Sequence, residues 1–400
     1  MTVEQSQAPA GGPLIPLHCL LHAEPGPPRL AALPTGTPVW VVTRHADVRQ
    51  ALTDPRLDRA SLYAPDAPQV TLVPNLLDAP DTLLNIDGPE HQALRRTVQR
   101  AFTPRAIERW RPWVASVVED LLDGVAAAGS PADVVATFTR PLPVQVISRL
   151  MGLDNHDLSR LSHWSDHALS ATAYTAEEIQ QAMQEFGAFG YQLVTERRKA
   201  PGDDLVSSLV LAADETGGAT EMQLTMLVIG LVVAGHETTM TTLGNALVYL
   251  LDENREGWAR IGADPAAAVQ ATEQALRTIP LGDRSTAPGL LRRANADLEI
   301  GGVTIPAGSV VAADPSSANH DPAVYPEGID LFAPLGTPSL TFGAGPHHCL
   351  GAWLARMELE LGLHGLARRF PELRLTEPTD RITWRTGLLT RSPLTLGVAW

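Results

Sequence analysis

The chain has 400 residues, 44% hydrophobic and 19% charged, which is enough apolar material for a large buried core. Its formal net charge of −15 opposes a phosphate backbone and excludes non-specific nucleic-acid binding. Two cysteines, Cys19 and Cys349, are too few for a disulfide framework and fit a reducing, cytoplasmic setting.

Residues 1–12 carry no basic segment and no long apolar run, so they read as a disordered lead-in, neither signal peptide nor anchor. Val39-Trp40-Val41-Val42 is β-branched and aromatic and predicts a strand. Residues 44–53 predict a short helix that ends at Asp54-Pro55. Residues 62–87 read as a loop with prolines at 65, 68, 74 and 80, a length that usually marks function or mobility. Asp87-Gly88-Pro89-Glu90 is a helix start, with a capping Asp, an early Pro and a first-turn Glu; that helix runs to about Phe102. Helical patterns follow at 105–128, 141–151, 155–171 and 175–199, where Lys199 is the only lysine of an arginine-rich chain with the composition of a high-GC bacterium. Residues 201–204 turn into another helix.

The segment from Thr220 to about Asp252 is the longest helical candidate, roughly 50 Å at 1.5 Å per residue. Leu224 to Gly235 is apolar nearly all round, so this half is expected in the core. His236-Glu237 interrupts the run before the ~20 residues that a membrane span needs. A helix at 264–279 follows, then the alternating run from Asp297 to Val311, which predicts a hairpin, and loops over 314–348. A last long helix covers about 350–370, and short strands close the chain. No repeat or linker divides it, so residues 13–400 are expected to form one mostly helical domain with a small β part.

The sharpest feature is Phe342-Gly343-Ala344-Gly345-Pro346-His347-His348-Cys349-Leu350-Gly351. Its glycines permit tight turns and close approach to a flat ligand. Cys349 precedes a helix expected to start near Leu350, whose N–H groups and dipole would stabilise a thiolate able to bind iron. A plain buried thiol, a zinc site and a phosphate loop compete with that reading. The adjacent His-His-Cys lacks the paired spacing of structural zinc sites, and the glycines lack the Lys-Ser/Thr or third glycine of nucleotide loops.

The loop resembles the haem-binding signature of the cytochrome P450 family, Phe-Gly-x-Gly-x-His-x-Cys-x-Gly, at each fixed position. The resemblance implies a mostly α, prism-shaped single domain with haem b between two long helices. Cys349 would bind the iron, Phe342 would pack near the sulfur, His347 would reach a propionate, and Gly343 and Gly351 would complete the loop. Ala234-Gly235-His236-Glu237-Thr238-Thr239 resembles the family's central-helix motif. By that likeness Gly235 would let the helix widen beside dioxygen at Ala234, Thr238 would hydrogen-bond the oxygen, and Glu237 would relay protons. The bland alternative is a Thr pair back-bonding to helix carbonyls with Glu237 in a salt bridge.

His91 and Arg95, four apart on one helix face, resemble the family's propionate-binding pair. Arg292, or its neighbour Arg293, matches a further propionate arginine. The family's Glu-x-x-Arg is altered: Arg277 matches, but Gln274 holds the Glu position, with Glu273 one residue early. A downstream arginine is missing, with Gly328 in its place. Bracing of the cysteine loop is therefore expected to be weakened.

The resemblance spans about 38–398 and is closest to soluble bacterial, actinobacterial-like members of secondary metabolism. It implies a cytoplasmic monomer without membrane or nucleic-acid partners. A natural-product substrate would lie among residues 62–86, 227–238, 281–290 and 388–391, with Asn85, Asp283 and Arg284 as polar contacts. Electrons would come from NAD(P)H through ferredoxin reductase and ferredoxin, docking on Arg96, Arg100, Arg105, Arg109, Arg111 and Arg356. Hydroxylation or epoxidation is the expected reaction. Oxidative C–C or C–N coupling is the alternative within the same chemistry, and a non-catalytic haem sensor is the alternative of another class. Retention of Glu237-Thr238 argues against the sensor.

Overall fold

The computed structural model describes residues 15–16, 24–72, 78–153, 158–217, 219–283, 289–326 and 328–400. The helices are α1 (His45–Thr53), α2 (Gly88–Gln99), α3 (Pro104–Glu108), α4 (Arg111–Ala128), α5 (Pro141–Leu150), α6 (Leu158–Ala168), α7 (Ala176–Lys199), α8 (Leu205–Thr216), α9 (Glu221–Glu253), α10 (Arg255–Ala263), α11 (Pro265–Thr278), α12 (Pro315–Ala318) and α13 (Ala352–Arg369). The strands are β1 (Ile15–Pro16), β2 (Arg29–Ala32), β3 (Pro38–Val42), β4 (Leu57–Asp58), β5 (Ala132–Asp133), β6 (Leu290–Ala294), β7 (Leu298–Ile300), β8 (Val303–Ile305), β9 (Val310–Ala313), β10 (Arg374–Leu375) and β11 (Gly397–Ala399). The lead-in expected at 1–12 lies outside the described residues.

α9 is the axis of the helical part. A capping box starts it: the Thr220 hydroxyl accepts from the Gln223 N–H at 3.1 Å, and the Gln223 side chain accepts from the Thr220 N–H at 2.9 Å. It is the one described helix long and apolar enough to cross a membrane, and 67% of its apolar window is buried inside the protein. α5, α6, α7 and α13 pack around it, over a core that includes Trp164, Phe138 and Phe186. Burial against other helices, not lipid, therefore accounts for its apolar sides.

Two expected elements divide, and one helix is additional. The helix predicted at 105–128 divides into α3 and α4, because Pro112 has no N–H and belongs in a first turn. α10 was not foreseen. Asn254 breaks the helical path at φ −139° and caps α10, its side chain accepting from the Gly257 N–H at 3.1 Å. The alternating run at 297–311 also divides. β7 and β8 form a separate hairpin around Gly301-Gly302, both at positive φ, as a two-residue turn requires. β9 instead pairs with β3 and β6 inside a six-stranded sheet of order β1-β2-β3-β9-β6-β4.

Candidate active site

The cysteine loop runs between the sheet region and α13. Gly343 and Gly345 both adopt φ +71°, and a Cβ at Gly345 would lie 2.6 Å from the Leu52 carbonyl oxygen. The turn closes where the Cys349 N–H donates to the Phe342 carbonyl at 2.9 Å. α13 begins at Ala352, two residues later than expected, leaving the Gly351 and Ala352 N–H groups near the sulfur. Burial pushes the Cys349 thiol up and outweighs the lowering by those N–H groups, Arg95 and Arg356. The residue is nevertheless accessible to solvent. A thiol that water reaches inside a wall of protein sits on the floor of a recess. The helix start alone does not make it a thiolate; a bound metal would.

Around that floor lie cationic and donor groups short of acceptors. His91 is 2% exposed with no partner for Nε2, and its ring lies 4.3 Å from the His347 ring. Burial, then His347 and Arg95, lower its pKa to about 4. Arg95 donates to the His348 carbonyl at 2.5 Å. Arg292 is buried, donates to the Leu291 carbonyl at 2.8 Å, and has no ion pair among the described residues. Burial and neighbouring Arg59 lower its pKa to about 10. Arg293 points the other way and pairs with Asp66 at 2.7 Å, so strand alternation in β6 separates the two candidates. His347 Nε2–H donates to the Asp87 carboxylate at 2.7 Å.

These residues fit haem b. An accessible thiol, an uncompensated buried guanidinium and an orphaned imidazole nitrogen suit an iron with two propionates. In the otherwise buried middle of α9, Ala234 is exposed, so this turn lines an internal space.

On α9 the back-bonding alternative is realised, without excluding the other. Thr238 donates to the Ala234 carbonyl at 2.7 Å. Glu237 is 0% exposed; its Oε1 accepts from Arg385 at 2.5 Å and from Thr390 at 3.1 Å, and its Oε2 has no partner among the described residues. Burial raises its pKa, Arg385 opposes this, and Asp166 adds to it. Arg385 also pairs with Asp166 at 2.5 Å. The expected widening at Gly235 is not seen: α9 stays α-helical there. Gly235 instead admits α5, since a Cβ would lie 2.9 Å from Ile147 Cδ1.

Arg385, Asp166 and Thr390 were missed by sequence reasoning. Arg385 lies just before the expected 388–391 pocket stretch, but nothing local links it to residue 237. The 388–391 tip joins two other expected pocket stretches: Thr390 donates to Glu237 at 3.1 Å, and the Arg391 N–H donates to the Leu281 carbonyl. Asn85 is not a free pocket contact. It is buried and accepts from Arg59 at 2.7 and 2.9 Å. Arg284 lies outside the described residues.

The brace behind the cysteine loop is neutral and intact. Arg277 donates to Gln274 Oε1 at 2.9 Å, the Asn319 carbonyl at 2.8 Å and the Gly328 carbonyl at 2.7 Å. Gln274 Nε2 donates to the Ala333 carbonyl at 2.8 Å. The expected weakening is therefore a loss of charge assistance, not of hydrogen bonds. Gly328 fills the place of the missing arginine by offering a carbonyl.

A helical protein with a loop-borne cysteine on the floor of such a recess is a haem-thiolate oxidoreductase. The family model for cytochrome P450 matches residues 275–396. The chain is 42% identical to nocardicin C N-oxygenase of Nocardia uniformis subsp. tsuyamanensis, over 97% of this chain and 96% of that protein. It is also 42% identical to mycinamicin IV hydroxylase/epoxidase of Micromonospora griseorubida, over 92% and 91%. The crystal structure of cytochrome P450mel 107F1, described as having biaryl coupling reactivity, superposes with a TM-score of 0.87 at 33% identity, covering 94% of this chain and 93% of that one. The chain belongs to the cytochrome P450 family, and its cofactor is haem b.

Proposed function

We propose that this enzyme inserts one oxygen atom from O2 into a C–H or C=C bond of a natural product. The observation that carries the reading is the accessible Cys349 thiol near buried Arg292, which has no ion pair among the described residues, and near the unpartnered Nε2 of neutral His91. Cys349 holds the iron, with Phe342 packed nearby and Gly343 and Gly351 letting the backbone turn. His91, Arg95, Arg292 and His347 hold the propionates. Haem bound there supplies the reductive activation of O2.

The protein's own groups handle protons. Glu237 takes up and releases its proton at Oε2, the oxygen that Arg385 and Thr390 leave free. Burial keeps that carboxyl protonated to higher pH than usual, which suits a proton donor. Thr238 presents its hydroxyl one residue on, and Ala234 lines the space beside it. Arg385 and Asp166 extend the chain of charges to α6, where Asp166 is partly exposed.

Nocardicin C and mycinamicin IV, named in the relatives' activities, support a natural-product substrate. Oxidative coupling is the second reading, supported by the coupling reactivity of the structural neighbour. Product mass separates them: a gain of one oxygen marks insertion, a loss of two hydrogens marks coupling. Electrons from NAD(P)H arrive through ferredoxin reductase and ferredoxin, to a monomer in a reducing cytoplasm. Arg96, Arg100, Arg105 and Arg109 are exposed and suit an acidic partner. Arg111 and Arg356 are not free for docking, since Arg111 pairs with Glu108 and Glu360 and Arg356 with Glu273. Neutralising Arg96 and Arg100 together should slow electron transfer and flatten its salt dependence. An unchanged rate at every salt concentration overturns that docking face.

The decisive experiment is the reduced-plus-CO spectrum of the purified protein. The thiolate-shifted Soret band is expected, and Cys349→Ser should abolish it. An unshifted band in the wild type overturns the ligand assignment.

A further inference from the structure

We propose that Glu273 and Arg356 form the charged brace of the cysteine loop, with Arg356 as a positioning residue that fixes Phe342 and keeps a positive charge near the Cys349 sulfur. The inference rests on Cys349 being the iron ligand.

The charge missing from residue 274 is present one residue earlier. Glu273 lies about 100° round α11 from Gln274, which turns it from Arg277 toward α13. There its two carboxylate oxygens take Nε and NH2 of Arg356, the second at 3.2 Å, a two-pronged pair. The same guanidinium stacks on the Phe342 ring, 4.6 Å from its centroid, and stands 5.4 Å from that of Trp353. Arg356 NH1 also donates weakly to the Ala352 carbonyl, at 3.4 Å. Phe342 is the residue whose carbonyl accepts the Cys349 N–H at 2.9 Å. A continuous path therefore leads from α11 through Glu273, Arg356 and Phe342 to the ligand residue.

The path has an electrostatic end as well as a mechanical one. The Arg356 guanidinium, stacked on Phe342, is held one hydrogen-bonded residue away from Cys349. A cation beside a metal thiolate stabilises the state with more negative charge, so it eases reduction of the iron. The pair is largely shielded, with side chains 21% and 29% exposed, so solvent screens it only in part. The brace on Arg277 cannot supply this. Its acceptors are neutral, and its guanidinium is taken up by Gln274, Asn319 and Gly328, not by the cysteine loop.

The test uses the haem-loaded protein without any redox partner. Two readouts are followed: the lifetime of the thiolate-shifted carbonmonoxy band, and the reduction potential by spectroelectrochemical titration. Arg356→Gln should shorten the lifetime several-fold and move the potential negative. Arg356→Lys should restore most of the potential but less of the lifetime, because lysine keeps the charge and loses the fork and the stacking. Glu273→Gln keeps an acceptor for Arg356 and removes the counter-charge, so its potential should move the opposite way, to more positive values. A role in packing alone would move both variants in one direction. Gln274→Glu should leave the lifetime within twofold. A band that ignores Arg356→Gln, or a several-fold longer lifetime in Gln274→Glu, overturns the brace while leaving the ligand assignment intact. A wild-type protein with no shifted band overturns the ligand assignment and the brace with it.

Discussion

Two buried arginines in this protein face opposite kinds of partner. Arg277, behind the cysteine loop, is held by an amide and two backbone carbonyls. Arg385, on the oxygen side, stands between the carboxylates of Glu237 and Asp166. A brace needs fixed acceptors in fixed directions, and neutral carbonyls provide them at lower desolvation cost than a buried carboxylate. A proton-handling site needs a group that changes charge, and an arginine between two acids leaves one oxygen of Glu237 free to do so. Charge is therefore kept where it is used and replaced by neutral groups where only direction matters.

That contrast can be broken most forcefully at Arg277. Arg277→Ala leaves two buried acceptors, Gln274 Oε1 and the Asn319 carbonyl, unpaired at roughly 1–3 kcal/mol each, so a loss of about 2–6 kcal/mol is expected, with release of haem. Denaturant unfolding and haem content check this; a near-wild-type midpoint would remove Arg277 from the brace. On the other side, Glu237→Gln preserves the hydrogen bond to Arg385 and removes the titratable proton. Its fold and carbonmonoxy band should be unchanged, while turnover falls about 10²-fold, the lower end for loss of a proton-transfer group. Equal turnover would reduce Glu237 to a structural partner of Arg385.

The smallest effect concerns the neighbour of Glu237. His236 is fully enclosed with neither ring nitrogen partnered, and burial, then Arg140 and Arg385, lower its pKa from 6.5 to about 3. A folded-state pKa below the unfolded value means the neutral ring is the one accommodated. Its contribution is complete above about pH 6.5 and is lost as pH falls toward 3, where the unfolded chain takes up the proton first. Stability should therefore drop by a few kcal/mol over that window. Melting temperature against pH should be flatter in His236→Leu than in wild type, and parallel curves would sink the assignment.

Much of the site is local and was legible in sequence. The cysteine loop, the helix carrying His91 and Arg95, and the Glu237-Thr238 pair each lie within one turn or one loop. Their spacing sets their shared face before any tertiary contact forms. Likewise the start of α9 follows from the capping residues Thr220 and Gln223, and the break at Pro112 was readable, although it was overlooked. The need for glycine at 235 has a tertiary reason that spacing does not show, the close approach of Ile147 on α5.

Amino-acid order by itself determined the cysteine loop, the helical scaffold and the chemistry class, because each depends on short-range geometry and on residue type. Tertiary structure alone decided that Arg292 and not Arg293 faces inward, that Glu237 meets Arg385, and that Glu273 reaches Arg356. Those choices join positions tens to more than a hundred residues apart. They depend on strand register and helix packing, which bring together side chains that no sequence spacing connects.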